Sequence, residues 1–390
     1  MRIGIEAQHL LNPHKHETDI TALELIQALQ QIDHVNTYFI FVCPGENKKF
    51  LTIHSNFTLV SVPGVNSIYW EQVALPKALR TYQLDVLHCT SNIAPRLTGV
   101  PLIVTLHDVL FLRQTSGINT ASAYQRFGDQ YRTMLVGRLI NRSSNVLTVS
   151  RFAAQQIKEA LNIPKAQIDV LYNGVSNRFN DPVTHDRLAS VRKAYQLPDR
   201  YFFFFGSTDP RKNSKNVLQA FIKYGRTNPG ISLIISGELS SLIKPLLTTD
   251  EYAFVQERCQ FIGTIHNDDL PALYTLAEVF LFPSISEEFG LPILEAMACG
   301  TPVITSTLTA MPEIAGDAAL LVDPHQPQSI AEAMHQLVDK SLLRQLLIRR
   351  GKERVAHFSW KHTAQQLLAT YKTHAPAAQN TRAHAYSIVY

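Results

Sequence analysis

Cysteine is scarce in this sequence, and the residues that do occur lie far apart. They are Cys43, Cys89, Cys259 and Cys299, each in an apolar or strand-like stretch. Their positions offer none of the close paired spacings that structural metal sites use. We therefore expect buried free thiols in a reducing, cytoplasmic compartment.

The sequence also lacks a long apolar run. No stretch approaches the ~20 apolar residues that a helix needs to cross a bilayer. The first residues, MRIGIEAQ, have the pattern of a strand and not of a signal peptide. These two observations predict a cytoplasmic protein without a membrane-spanning helix.

A strong excess of charge of either sign is missing as well. Lys and Arg number 36 against 32 Asp and Glu, which gives a net charge of +4. A dedicated nucleic-acid-binding protein has a larger basic excess, so nucleic acid is not an expected partner. Hydrophobic residues make up 45% of the chain, which is typical of a globular protein. A length of 390 residues predicts two domains of about 170–200 residues each.

Short continuous apolar runs recur along both halves of the chain. In the first half they are Arg2–Ala7, Tyr38–Val42, Thr58–Val62, Asp85–Cys89, Leu102–Thr105, Asn145–Val149 and Ile168–Tyr172. In the second half they are Tyr201–Phe205, Ser232–Ser236, Phe261–Thr264, Val279–Phe282 and Val303–Ser306. Helical patterns between such runs indicate parallel sheets covered on both faces, an α/β fold class. Ligands bind such sheets beyond the carboxyl ends of the strands.

The loop after the first run lacks the G-x-G-x-x-G pattern of a dinucleotide site, because residues 8–13 read QHLLNP. The polar cluster that follows, at 14–19, either contacts a substrate that accepts a transferred group or is a solvated loop. His107 ends another apolar run. A lone histidine is more often structural than catalytic, but its place at the carboxyl end of a strand favours a functional role.

Two adjacent cations, Arg211 and Lys212, precede a predicted helix that begins near Ser214. Positive charge at a helix amino end is unfavourable for the helix dipole unless an anion is bound there. The pair therefore predicts an anion site, with a solvated charge pair as the alternative.

The stretch 283–303, PSISEEFGLPILEAMACGTPV, has the form of a loop that enters a helix at Leu291. Pro292 suits a first helical turn, and Gly300 suits a helix end. A helix amino end favours a phosphate, whereas Glu287 and Glu295 could accept hydrogen bonds from hydroxyls on either side of it. That combination indicates a nucleotide-sugar. The alternative is simple complementation of the helix dipole, worth about 0.3–1 kcal/mol.

The residues from Phe289 to Gly300 resemble the donor-binding motif of the family 4 retaining glycosyltransferases, which have the GT-B fold. Glu288 stands where the family motif has its first glycine. VTLHDVLFL around His107, TVSRF at 148–152 and NGV at 173–175 are similar to further family segments. The first loop departs from the family, because it has no Gly-Gly turn before its helix.

The resemblance implies two facing doubly wound, Rossmann-like domains and a set of site residues. The domains would be an acceptor-side domain at 1–178 and a donor-binding domain at 179–358, and the polar segment 181–200 is predicted to be the linker between them plus a short helix. A helix at 359–374 would cross back to the first domain, and 375–390 would be a disordered tail. The implied catalytic residues are His107, Arg211, Lys212 and Glu287. The implied donor-binding residues are Gly206, Ser207, Arg211, Lys212, Glu287, Phe289, Gly290, Leu291 and Glu295.

The resemblance also gives these residues roles. Lys212 would clamp the donor diphosphate, and Arg211 would supply the charge that the family usually places where this chain has Ser207. Glu287 would hold donor-sugar hydroxyls, Glu295 the ribose hydroxyls, and His107 a hydroxyl near the reacting centre. No metal or other cofactor is expected, in line with the absence of an Asp-x-Asp triplet.

The expected reaction is transfer of a hexose, with mannose from GDP-mannose as the first choice, to a hydroxyl of a saccharide or lipid-linked glycan. A nucleotide-sugar epimerase or hydrolase and a non-catalytic nucleotide-sugar-binding protein are the alternatives. A basic helical pattern at 117–144 contains four arginines. They are Arg126, Arg132, Arg138 and Arg142. Such a pattern is compatible with contact to an anionic inner-membrane surface, although an ordinary solvated helix face is the commoner explanation.

Overall fold

The computed structural model forms two compact units. It describes residues 1–12, 17–45, 52–107, 133, 135–163, 168–237, 239 and 243–375. Unit 1 comprises Met1–Val149, Ala153–Tyr172 and the chain from Trp360 onward, and unit 2 comprises Ser150–Phe152 and Asn173–Ser359. Each unit has its own sheet, and unit 1 has two separate hydrophobic cores.

Unit 1 is built on a parallel sheet whose strands coincide with the apolar runs of the sequence. The strands are β1 (Arg2–Glu6), β2 (Thr37–Val42), β3 (Phe57–Ser61), β4 (Val86–Cys89), β5 (Leu102–Thr105), β6 (Asn145–Thr148) and β7 (Asp169–Val170). Their order in the sheet is β3-β2-β1-β4-β5-β6-β7. The order reverses its direction between β1 and β4, where Ile5 pairs with His88.

The helices of unit 1 cover both faces of this sheet. In the described part of the chain up to Tyr172 they are α1 (Glu17–Ile32), α2 (Ser67–Tyr69), α3 (Leu75–Tyr82), α4 (135–142) and α5 (Arg151–Ala160), with a π-helical turn at Trp70–Ala74 that joins α2 to α3. Tyr38 and Ile40 of β2 pack in the core beside α1, whereas Phe39 and Phe41 pack in the core beside α3. Alternate side chains of one buried strand therefore serve two cores.

Unit 2 has a second parallel sheet of the doubly wound type. Its strands are β8 (Tyr201–Phe205), β9 (Ser232–Ser236), β10 (Cys259–Gly263), β11 (Val279–Phe282), β12 (Val303–Ser306) and β13 (Leu320–Val322). Their order is β10-β9-β8-β11-β12-β13, which is the Rossmann order and reverses between β8 and β11.

The helices of unit 2 include one that the sequence predicted as part of a linker. They are α6 (His185–Ala194), α7 (Ser214–Gly225), α8 (Thr249–Arg258), α9 (Leu270–Leu276), α10 (Leu291–Ala298), α11 (Met311–Ala315), α12 (Pro327–Asp339) and α13 (Ser341–Val355), with 3₁₀ turns at Asn177–Phe179, Pro210–Lys212, Lys244–Leu246 and Asn267–Asp269. Segment 181–200 contains α6, which buries Val191 and forms an ion pair between Arg187 and Asp269. It is therefore a packed part of unit 2.

The last described helix, α14 (Trp360–His374), belongs to unit 1 and packs against α1. Its inner side chains Ala364, Leu367 and Tyr371 are fully buried. The Tyr371 hydroxyl lies 2.8 Å from Nδ1 of His88 on β4, and Thr363 donates to the Tyr172 carbonyl at 2.7 Å. This helix therefore completes one face of the unit 1 sheet.

Some of the expectations concern residues that lie outside the described ranges. They are the first-loop cluster at 14–16, Arg126 and Arg132 of the basic segment, and the tail at 376–390. Of the basic segment, 135–142 is helical, with Arg138 and Arg142 exposed. Within the described ranges, no helix has the length and apolar character that crossing a membrane requires.

Candidate active site

The site of unit 2 lies where the loops after β8 and β11 meet. These strands are parallel neighbours, with Phe203 beside Phe280, so both loops leave the same edge of the sheet. The amide of Ile285 donates to the Arg211 carbonyl at 2.7 Å. Asn213 donates from its side chain to the carbonyls of Pro283 (2.9 Å) and Pro324 (2.7 Å). These bonds fix the two loops to each other at the switch point of the sheet, where α/β proteins bind ligands.

Gly206 begins the first loop because there is no room for a larger residue. A β-carbon at this position would lie 2.6 Å from Cγ2 of Ile235. The next residue, Ser207, uses its polar groups to shape the loop. Its amide donates to Oγ of Ser214 at 3.1 Å, and its hydroxyl oxygen accepts from the Asp209 amide at 3.1 Å. These hydrogen bonds fix the conformation of the loop.

The guanidinium of Arg211 is bound to a carboxylate within its own loop. Its Nε and terminal nitrogen donate to both oxygens of Asp209 over 2.6–3.1 Å. Burial alone would raise the pKa of Asp209, but the hydrogen bonds and charge of Arg211 outweigh it and hold that pKa below its ordinary value. The sequence analysis gave Asp209 no role, and the structure identifies it as the residue that orients Arg211.

Lys212 and Glu287, which are 75 residues apart in the sequence, form an ion pair between the two loops. The distance from Nζ to Oε1 is 2.6 Å, and the side chains are 33% and 11% exposed. Nζ also lies 5.7 Å from the centre of the Phe282 ring. The amide of Glu287 donates to Oγ1 of Thr309 at 3.2 Å, which holds its backbone. A cation for a phosphate and an acceptor for a hydroxyl are therefore adjacent.

The amino end of α10 is open to an anion because its cap has no side chain. The cap is Gly290, whose φ of +99° lies in the left-handed region that favours glycine. Phe289, before it, is buried against Phe358, and Leu291 is the first residue of the helix. Pro292 has no amide hydrogen, and the Ile293 amide donates to the Gly290 carbonyl at 3.0 Å. The Leu291 amide and the helix dipole are therefore the features of this helix end that suit a phosphate group.

Glu295 lies on the inside of α10 and is only 8% exposed. Its Oε2 accepts a hydrogen bond from the hydroxyl of Tyr274 at 3.1 Å. Burial, together with the charge of Glu295, raises the pKa of Tyr274 well above its ordinary value, so this hydroxyl remains a donor. A buried and oriented carboxylate is not the exposed acidic residue that complements a helix dipole.

His107 lies in unit 1, just beyond β5, and the loop after β4 fixes its orientation. Its Nε2 lies 2.8 Å from the Thr90 carbonyl oxygen, so this nitrogen carries the hydrogen and donates it. Its backbone amide donates to Oδ1 of Asn92 at 2.5 Å. Asn92 itself has a φ of +62°, a left-handed conformation that asparagine tolerates.

Glu6, at the end of β1, is a residue that the sequence analysis missed. Its carboxylate accepts hydrogen bonds from the amide of Gln8 (2.8 Å), the amide of Thr90 (3.3 Å) and the hydroxyl of Ser91 (2.9 Å). Burial raises its pKa despite these bonds. Glu6 thereby holds the loop that orients His107. An acidic residue that ends an otherwise apolar buried strand was the available signal.

A second histidine lies between β5 and α14. His88 is fully buried, with Nε2 2.8 Å from Oγ1 of Thr105 and Nδ1 2.8 Å from the Tyr371 hydroxyl. Burial, with a further contribution from His107, lowers the pKa of His88 to about 3. The ring is therefore neutral at physiological pH.

Two family models match the chain, one on each half. The description "Glycosyltransferase Family 4" matches residues 19–178, and "Glycosyl transferases group 1" matches residues 190–354. The O-antigen chain mannosyltransferase B of Escherichia coli is 30% identical over 299 residues, 76% of this chain and 76% of that protein. The serotype-specific mannosyltransferase WbdA of Escherichia coli is 28% identical over 247 residues, 62% of this chain but only 30% of that longer protein.

Solved structures resemble the chain over nearly its whole length. HepE of Anabaena in complex with UDP-glucose has a TM-score of 0.71 at 17% identity, with 96% of this chain and 100% of that one covered. WaaG, a glycosyltransferase involved in lipopolysaccharide biosynthesis, has a TM-score of 0.70 at 13% identity, with 97% and 100% covered. These likenesses, together with the two doubly wound units, confirm the expected GT-B fold. On the family models and the 30% identical relative, the chain belongs to the family 4, group 1 glycosyltransferases.

Proposed function

We propose that this chain transfers a hexose, mannose in the first instance, from a nucleotide diphosphate sugar to a hydroxyl of a glycan acceptor. The observation that carries the proposal is the contact between Lys212 and Glu287 at the switch point of unit 2. It brings together one group suited to a phosphate and one suited to a sugar hydroxyl. Among the relatives, the two from Escherichia coli are named as mannosyltransferases, which supports mannose as the sugar.

The two loops and α10 would each bind a different part of the donor. Lys212 and the amino end of α10 would stabilise the diphosphate, and Arg211, oriented by Asp209, would add a further positive charge beside it. Glu287 would accept hydrogen bonds from the sugar. Glu295, oriented by Tyr274, would accept hydrogen bonds from the ribose. Glu295 is already oriented for this role, whereas Lys212 and Glu287 would exchange part of their mutual contact for contacts to the donor.

The chemical step requires charge stabilisation more than a covalent nucleophile. As the bond to the diphosphate breaks, negative charge grows on the leaving group and positive charge grows on the sugar. Fixed cations near the diphosphate stabilise that change without rearranging at the moment of reaction. His107 would hold a sugar hydroxyl near the reacting carbon. The acceptor hydroxyl would bond to that carbon from the side that the diphosphate leaves, and its proton would pass to the departing phosphate oxygen. We propose retention at that carbon and no metal or other cofactor.

The acceptor would be a saccharide or a lipid-linked glycan in the cytoplasm. One relative is named as acting on the O-antigen chain, and WaaG is described as involved in lipopolysaccharide biosynthesis. Both descriptions favour a polysaccharide or its precursor as the acceptor class.

A donor screen tests the proposal. The protein is incubated with GDP-mannose, UDP-glucose and other nucleotide-sugars, with and without an acceptor mixture, and mass spectrometry records the released nucleotide and the extended glycan. We expect release of GDP coupled to a mass gain of one hexose on the acceptor. Transfer from a UDP-sugar alone would contradict the assignment of mannose as the sugar but would support the assignment as a transferase. Free sugar or an epimer without an acceptor would show a hydrolase or an epimerase instead. Nucleotide-sugar binding without any product would show a non-catalytic binding protein.

A further inference from the structure

A cleft of about 110 Å³ lies in unit 1, away from the carboxyl ends of the strands. It is formed by the connection between β4 and β5 and by α4. Leu102, the first residue of β5, lines it together with Leu135 and Leu139 of α4. The cleft therefore lies at the amino end of β5, whereas His107 follows the carboxyl end of the same strand.

Three arginines line this cleft, and no acidic residue of the described ranges does. They are Arg96 of the connection and Arg138 and Arg142 of α4. All three are exposed, and none forms an ion pair with an acidic side chain in the part of the chain that is described. Arg138 and Arg142 are four residues apart on one helix, a spacing at which like charges repel. The cleft therefore concentrates positive charge that the described protein groups do not neutralise.

The position of α4 explains only part of this arrangement. Arginines in the last turn of a helix interact favourably with its dipole, which accounts for Arg142 and partly for Arg138. Arg96 belongs to a different segment. The backbone amide of Arg96 donates to Oε1 of Gln72 at 2.8 Å. The side-chain nitrogen of Gln72 in turn donates to the Ala94 carbonyl at 3.2 Å. The backbone that carries Arg96 is thus fixed to the π-helical turn at Trp70–Ala74.

We propose that this cleft binds a phosphate group, at a site separate from the donor site of unit 2. Guanidinium groups match the geometry of phosphate oxygens and remain charged at every physiological pH. A cavity volume of about 10–15 Å³ holds one water molecule. The 110 Å³ of this cleft therefore have room for a phosphate and part of its ester. The apolar lining from Leu102, Leu135 and Leu139 suits the carbon part of a phosphate ester. The phosphate belongs either to a lipid headgroup or to a soluble compound. Leu97, next to Arg96, is an exposed apolar side chain that could contact the apolar part of a lipid.

The test compares two double variants that remove the same charge from unit 1. Arg138→Gln with Arg142→Gln alters the cleft. Lys361→Gln with Lys372→Gln is the matched control, because both lysines are exposed on α14, which packs in the other core of unit 1. Binding is measured by calorimetry with inorganic phosphate, and by co-sedimentation with phosphatidylcholine vesicles that contain or lack phosphatidylglycerol. Arg96→Gln, in the connection, is a second variant of the cleft.

We expect the cleft variants to weaken binding of phosphate or of the phosphatidylglycerol vesicles about tenfold or more, and the control to stay within twofold of the parent. Binding of the vesicles alone would identify a lipid headgroup, and binding of inorganic phosphate a soluble ligand. Equal losses of affinity in both double variants would show that only the net charge matters, and would overturn the proposal. So would the absence of binding by the parent. Donor-nucleotide affinity, measured in parallel, should not change in any of these variants.

Discussion

The two glutamates of the donor site should respond differently to the same isosteric change, and Glu295→Gln gives the sharper test. Glu295 is 8% exposed, and glutamine keeps an oxygen for the Tyr274 hydroxyl, so the fold should tolerate the substitution. What is lost is the charge on an acceptor for the ribose hydroxyls. A hydrogen bond to a charged group contributes roughly 1.5–3 kcal/mol. Since 1.4 kcal/mol corresponds to a factor of ten, the Kd for GDP should rise about 10- to 100-fold.

Glu287→Gln should leave the affinity for the bare nucleotide within twofold of the parent, or improve it. The reason is the ion pair, because removing the charge of Glu287 leaves the ammonium of Lys212 free to interact with the diphosphate. Transfer of the sugar should nevertheless fall strongly, since the acceptor for its hydroxyls is weakened. The two variants therefore separate nucleotide binding from sugar handling.

Calorimetry with GDP, and with the nucleotide of whichever donor proves active, decides between these outcomes. Glu332→Gln is a suitable control, because this glutamate is exposed on α12 and contacts Gln328. Melting curves establish that all three variants are folded. Equal losses of nucleotide affinity for Glu287 and Glu295 would refute the assigned orientation of the motif. If neither variant loses nucleotide affinity, both residues have only a structural role at the helix.

Three further predictions follow from the same structure. Lys212→Ala should lower turnover about a hundredfold or more, as expected for a positioned electrostatic stabiliser, and a rate within threefold of the parent would remove it from the site. A chelator should leave the transfer rate nearly unchanged, whereas abolition with rescue by Mg²⁺ or Mn²⁺ would show that a metal holds the diphosphate. His88, with a folded pKa of about 3 against an ordinary value near 6.5, binds fewer protons in the folded than in the unfolded protein between these values. Its contribution to stability is complete above pH 6.5 and is lost as the pH falls towards 3, so the melting temperature should decline below pH 6.5 less steeply in His88→Gln than in the parent.

The strands were the part of the fold that the sequence predicted best. Tyr201–Phe205 and Val279–Phe282 were predicted with the bounds that the structure has, because a strand buried on both faces leaves an unbroken apolar run. Helix ends were harder to predict. Residues 327–355 form two helices, Pro327–Asp339 and Ser341–Val355, and nothing in the periodicity of the sequence marks the break at Lys340.

The contacts of the site could not be predicted from spacing. Lys212 and Glu287 are brought together by the pairing of β8 with β11, a tertiary feature that no local pattern records. The same holds for Glu6, which meets Thr90 because β1 and β4 are neighbours. By contrast, Asp209 precedes Arg211 by only two residues, and a turn-forming aspartate before a proline was a readable local signal.

The packing of α14 against α1 has a consequence for synthesis on the ribosome. The strands of unit 1 are complete at Val170, yet Leu367 and Tyr371, which cover one face of them, are translated nearly two hundred residues later. Until then the apolar surface around Ile5 and the polar ring of His88 lack part of their covering. Unit 2 contains all its strands before α14 emerges, so it can finish folding first. We therefore expect the amino-terminal half of the nascent chain to be the later of the two to become resistant to protease, against the order of translation.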